Sequence, residues 1–271
     1  MSVIEIPFIT VGPFAPHTHT VVFLHGRGDN AQKFCASLSY WRGSNGQTLC
    51  DAFPSFRWVF PQAPLRKCAS LPDIIPQWFD VWDVRDFGVN EELQAFGLRE
   101  VVPAIQKILA DEARQLGSTL GGGDRWDCVV LAGISMGGAT GVHTLLNLNI
   151  PAAAGGRLGA FMGFSCRCPF AGRPLSELRN ILNLADAPSH DNVVRSTPVL
   201  LEHCADDPLV RIEWGRELRD TLVAFQADVS WKEYAHGAHW FHSPDGLDDV
   251  IEFLNRHVMG TAPNSAPTSL P

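Results

Sequence analysis

Gly133-Ile134-Ser135-Met136-Gly137 sets a serine between two glycines, each two residues away, behind the apolar run Val129-Val130-Leu131-Ala132. Small residues and then Thr140 to Asn147 follow it. That order reads as strand, tight turn and helix, a geometry that lifts a serine hydroxyl clear of a sheet while glycines let strand and helix crowd together. In a chain with 24 glycines the pentapeptide alone is a weak signal; the strand before it and the helix after it give it weight. Ser135 is the candidate nucleophile, and Met136, at the start of the helix, has an unpaired backbone N–H that can face a developing oxyanion. A serine hydroxyl near neutral pH needs an imidazole within hydrogen-bond reach, oriented in turn by a carboxylate. Asp206-Asp207-Pro208 and the histidines at 236, 239 and 242 supply both types downstream. The chemistry is acyl transfer. Spacing alone leaves open which aspartate and which histidine take part.

The positioning elements follow from hydrophobic period. Val3 to Thr10 alternates as an edge strand that can tolerate Pro7. His17 to Leu24 is a β-branched and apolar strand ending in His25-Gly-Arg-Gly-Asp29, with Asp29 or Asn30 capping a helix through Phe34 and Leu38. Phe56 to Phe60 is a short strand. From Arg66 to Val89 the chain is long, irregular and aromatic, carrying Trp78, Phe79, Trp82 and Phe87; it reads equally as the wall of a binding groove and as core filler beneath a loop. Asn90 begins a helix that ends in a flexible turn over Gly117 to Gly123. Strands at 158–164, 196–202 and 229–234 alternate with helices at 175–184, 212–225 and 247–259. This alternation predicts an α/β fold with a mainly parallel central sheet and helices on both faces. In such sheets functional groups gather beyond the carboxyl ends of the strands, where Arg27, Ser135, Asp206-Asp207 and His236 to His239 all fall. A single domain over 1–259 and a disordered tail over 260–271 complete the organisation.

A net charge of −8 lacks the basic field that phosphate backbones require, which excludes nucleic acid as a partner. No run reaches the ~20 apolar residues of a transmembrane segment, and the N-terminus has no signal pattern, so a cytoplasmic location is expected. Seven cysteines, an odd number without paired zinc spacing, read as reduced and partly buried thiols. The close pair Cys166 and Cys168 reads as packing.

His25-Gly-x-Gly-Asp29, Phe60-Pro-Gln-Ala-Pro64, Trp78-Phe-Asp80, Gly133-x-Ser-x-Gly-Gly138, Ser165-Cys166, His203-x-x-x-Asp-Pro-Leu-Val210 and Tyr234-x-x-x-x-His239 together resemble the acyl-protein thioesterase and carboxylesterase family, also called phospholipase/carboxylesterase. The resemblance runs from about Thr20 to Leu254. It implies an α/β-hydrolase fold without a separate cap domain, Ser135 as nucleophile, Asp207 as acid and His239 as base. It also implies an oxyanion hole from the backbone N–H groups of Arg27 and Met136, and no metal or organic cofactor. His25 and His203 read as bracing residues, and His143 as a satisfied helix histidine. Trp78, Phe79, Trp82, Arg167 and Trp240 are the expected substrate-binding residues.

The departures matter. Met136 stands where the family commonly has Gln, Cys204 where it has Gly, and Arg167 where a Trp often lines the acyl groove. A cation at 167 disfavours a purely aliphatic chain and favours an acidic or polar acyl group. The expected partner is an ester or thioester, whether small molecule, lipid or acylated protein, with a homodimer left open. The rival readings are a pathway-specific hydrolase of a small ester or lactone and a hydrolase-fold ligand receptor. A dienelactone-type reaction fits less well, since a Cys nucleophile would be expected at 135.

Overall fold

A seven-stranded sheet carries the chain in this computed structural model, which describes residues 3–69 and 72–261. The expected tail lies outside the described residues from residue 262 on. Chain order runs β1 (Phe8–Val11), β2 (His19–Leu24), α1 (Ala31–Leu38), α2 (Leu49–Ala52), β3 (Phe56–Pro61), β4 (Leu65–Lys67) and β5 (Ile74–Pro76). It continues with α3 (Glu92–Leu120), β6 (Val129–Ile134), α4 (Met136–Leu146), β7 (Ala160–Phe164), α5 (Leu175–Leu182) and α6 (Asn192–Ser196). Last come β8 (Val199–Cys204), α7 (Ile212–Ala224), β9 (Val229–Tyr234) and α8 (Asp245–His257).

The strand order is β1-β3-β2-β6-β7-β8-β9, all neighbours parallel except the β1–β3 edge pair. Every residue of β2, β6, β7 and β8 is buried, as strands covered on both faces must be. Alternate residues of one strand serve opposite faces: Val22 and Leu24 join the cluster under α3 and α4, Val21 and Phe23 the one under α1 and α8. Each fully buried side chain of this size contributes about 1.5–3 kcal/mol. Asn30 caps α1 by accepting the Lys33 N–H at 2.9 Å, and α8 buries Leu247, Val250, Phe253 and Leu254 along one stripe.

Three expectations shift. The edge strand begins only after Pro7, because a proline has no ladder N–H. Helix α3 runs through Gly117 to Leu120 and ends at Gly121, where φ is 78°, a positive value that glycine adopts without a Cβ clash. The segment after β3 contains the antiparallel hairpin β4–β5, whose short, proline-bounded strands give no readable alternation.

Candidate active site

Ser135 sits between β6 and α4 with φ 56° and ψ −123°, the strained turn its flanking glycines allow. A Cβ on Gly133 would lie 2.5 Å from the Gly137 carbonyl carbon, and one on Gly137 would lie 2.5 Å from the His25 carbonyl oxygen. Strand, helix and the loop after β2 therefore close to backbone contact around the serine. All eleven residues of α4 are buried. The serine N–H donates to Phe164 O at 2.9 Å, tying the elbow to the end of β7.

Asp207 follows β8 with its side chain fully buried. One carboxylate oxygen accepts the backbone N–H groups of Leu209 and Val210 at 2.8 and 2.9 Å. The other accepts from His239 Nδ1 at 2.7 Å, which leaves Nε2 of that imidazole for a second partner. His203 Nε2 lies 3.4 Å from the same oxygen and donates to Val210 O at 2.7 Å. Burial opposes the carboxylate charge, but the hydrogen bonds from His203 and His239 outweigh it and hold the acid well below the ordinary range. The neighbouring Asp206 points outward and accepts the N–H groups of Ala238 and Gly237 at 2.8 and 3.3 Å. His236 is exposed, and His242 stacks on Tyr234 with centroids 4.1 Å apart. Geometry thus separates the two aspartates and the three histidines that spacing leaves open.

The loop after β2 is fixed by His25. Its Nδ1 donates to Gly26 O at 2.7 Å, its Nε2 accepts the Ala63 N–H at 3.1 Å, and its carbonyl accepts Trp78 Nε1 at 2.8 Å. Burial lowers its pKa, consistent with a neutral imidazole that both donates and accepts. Next to it, Arg27 Nε donates to Gln77 Oε1 at 2.9 Å.

A cavity of about 450 Å³ opens at the carboxyl ends of the strands, lined by Ser135, His239, Arg27 and Met136. Of the expected groove residues, Phe79, Arg167 and Trp240 line it, together with Val81, Val84, Phe87 and Leu209. Trp78 and Trp82 are corrections, for neither lines the cavity. Trp78 is wholly buried as a support for the His25 loop, and Trp82 is exposed. An aromatic-rich segment does not announce which rings turn inward. Arg167 is 7% exposed, stacks over Phe87 at 3.9 Å and donates from Nη2 to Gln94 Oε1 at 2.5 Å. Burial lowers its pKa to about 10.

Sequence reasoning read His203 only as structural and missed its contact with the acid; the signal was its place four residues before Asp207 at the end of a buried strand. His143 Nε2 donates to Pro169 O at 3.0 Å, but among the described residues its buried Nδ1 has no partner, so it is half satisfied. All seven cysteines are free thiols. Among the described residues no three His, Cys, Asp or Glu side chains gather as a metal site, and no helix is long and apolar enough to cross a membrane.

A family model described as phospholipase/carboxylesterase matches residues 6–258. Acyl-protein thioesterase 1 of Gibberella zeae is 27% identical over 89% of this chain and 92% of its own. The protein of the same name from Neurospora crassa is 25% identical over 97% and 96%. Among solved structures, acyl-protein thioesterase 2 of Zea mays aligns with a TM-score of 0.69 at 22% identity, covering 93% of this chain and 99% of that one.

Proposed function

The chain belongs to the phospholipase/carboxylesterase family and is an ester or thioester hydrolase of the α/β-hydrolase fold, and from that premise we propose that Ser135, His239 and Asp207 carry its reaction through an acyl-enzyme. Ser135 Oγ attacks the substrate carbonyl as His239 Nε2 takes its proton, and Asp207 holds the imidazolium that results. The tetrahedral oxyanion is received by the backbone N–H groups of Arg27 and Met136. His239 then returns the proton to the departing alcohol or thiol. A water molecule, deprotonated by the same imidazole, cleaves the acyl-serine and restores the hydroxyl.

The observation that carries this reading is the 2.7 Å contact of His239 Nδ1 with the buried Asp207, at a cavity that also holds the strained Ser135. The depressed acid supports it, because an ionised carboxylate is what a transient imidazolium requires. The acyl-protein thioesterases among its relatives support a thioester as one substrate class beside the ester, with acylated protein, lipid and small molecule as the specific forms. Seven free thiols support a reducing compartment such as the cytoplasm.

Labelling by a fluorophosphonate probe tests the nucleophile. The wild-type protein is expected to label and to hydrolyse p-nitrophenyl esters, and Ser135→Ala to do neither. Wild-type protein that stays unlabelled, or a variant that still labels, refutes the assignment.

A further inference from the structure

The cavity beside Ser135 contains a guanidinium that the proposed chemistry does not use. Arg167 is nine-tenths buried yet lines the cavity. A buried charge is costly to keep unless something opposite in sign meets it, and among the described residues no carboxylate makes an ion pair with Arg167. The acid with the largest pull on it, Glu91, is engaged elsewhere: its Oε1 accepts the Phe170 N–H at 2.7 Å and its Oε2 faces Arg173 at 3.9 Å. Among the described residues only Nη2 of Arg167 has a hydrogen bond, to the buried Gln94. Its other nitrogens are not sealed inside protein, in contrast to Arg27 Nη2, which is buried without a partner.

The fork is also held in place. Gln94 fixes one corner and itself donates to Phe87 O at 2.9 Å, while the Phe87 ring lies under the guanidinium plane. Such a preorganised cation loses little freedom on meeting an anion and can bind a carboxylate with two parallel hydrogen bonds. The lining carries two arginines, Arg27 and Arg167, against one aspartate, Asp29, which accepts the Asn30 N–H at 2.8 Å. The rest of the lining is mainly apolar, with Phe79, Val81, Val84 and Ala139 suited to methylene groups.

We propose that the acyl group this site prefers is a short chain ending in a carboxylate, recognised by the Arg167 guanidinium in the cavity beside Ser135. The leaving group departs on the side of His239, which protonates it, and the wall of Phe87 and Arg167 receives the acyl chain. A guanidinium whose pKa is lowered only to about 10 is charged at neutral pH and meets the anion as a full cation. This specificity rests on the assignment of Ser135 as nucleophile.

The test is the ratio of kcat/KM for p-nitrophenyl hydrogen adipate to that for p-nitrophenyl hexanoate, esters matched in chain length and leaving group. The purified full chain is expected to favour the adipate ester about tenfold or more, the range of a charge-assisted hydrogen bond. Arg167→Met is expected to lower the ratio to one or below. A wild-type ratio of one or less overturns the proposal without reference to any variant, and so does an unchanged ratio in Arg167→Met. Fluorophosphonate labelling of the same samples separates the two readings: protein that labels and cleaves hexanoate without preferring adipate overturns the specificity alone. Protein that neither labels nor cleaves either ester overturns the nucleophile assignment and this inference with it.

Discussion

Replacing Asp207 by Asn removes one charge and almost no volume from the most heavily bonded carboxylate of the site. Its oxygens receive the N–H groups of Leu209 and Val210 and the imidazole of His239, with His203 3.4 Å away. An asparagine oxygen can keep the two backbone bonds, which turns its NH2 toward His239. That group donates, so the imidazole must accept through Nδ1 and carry its proton on Nε2, the nitrogen that has to be free to deprotonate Ser135. The expected fall in kcat is about 10³–10⁴, with KM little altered. Loss of one charge-assisted hydrogen bond and a mismatched donor beside His203 should cost about 2–4 kcal/mol, read as a Tm lower by roughly 5–15 °C. The pH dependence has a fixed sign. The folded carboxyl lies below its unfolded value, so its stabilisation is present above about pH 4 and fades as pH falls further. The stability gap between wild type and Asp207→Asn should stay level from neutrality to about pH 5, then close. Stopped p-nitrophenyl ester assays and thermal melts across pH measure both effects, with Asp206→Asn as control. Asp206 accepts Ala238 N–H on one oxygen and Gly237 N–H on the other, with the exposed His236 3.6 Å away; an asparagine oxygen can keep the shorter bond, from Ala238, so that variant should keep activity within about threefold. An Asp207→Asn enzyme within tenfold of wild type, an inactive Asp206→Asn, or a gap that widens in acid would refute the reasoning.

Glu202→Gln is expected to raise Tm at neutral pH. Both Glu202 carboxyl oxygens are buried and, among the described residues, make no hydrogen bond of good geometry; burial, then Asp249, raises its pKa well above normal against the opposing pull of Lys232 and the Tyr234 hydroxyl. Its folded state holds a proton the unfolded chain gives up, so the advantage of Gln should be near nil below about pH 4 and grow as pH rises; a Tm below wild type at pH 8 contradicts this. Trp78→Phe leaves the His25 carbonyl without its donor and opens space in a fully buried position. It should cost about 2–4 kcal/mol and lower kcat more than it raises KM, and a Tm within 2 °C of wild type by calorimetry contradicts it.

The elbow was legible because its chemistry is local: two glycines and a serine at fixed offsets, set between an apolar strand and a helix, suit one tight turn. Central strands were legible for a similar reason, β6 being apolar throughout and β2 apolar on both faces from Val21 to Leu24. What escaped depends on direction. Asp206 and Asp207 are adjacent, yet one points at solvent and the other at His239, a difference set by the turn that Pro208 and the N–H groups of Leu209 and Val210 impose. Trp78 and Phe79 are adjacent as well, and only Phe79 faces the cavity. The hairpin β4–β5 escaped because strands of three residues leave no period to read. The reach of His203 toward Asp207 belongs to tertiary packing, which spacing along one strand does not encode.

Helix α4 has no solvent-facing residue, and its first turn touches the backbone of β2 and β6 where any added carbon would collide. Drift in sequence is therefore nearly closed to the part of the molecule that breaks the bond. It is open in the partly exposed stretch around Val84 and Phe87 and at the single position 167, whose side chains line the cavity without belonging to the serine turn. Lineages that keep the elbow unchanged can exchange one acyl group for another by altering only that wall, so descent conserves the reaction and leaves the diet to vary.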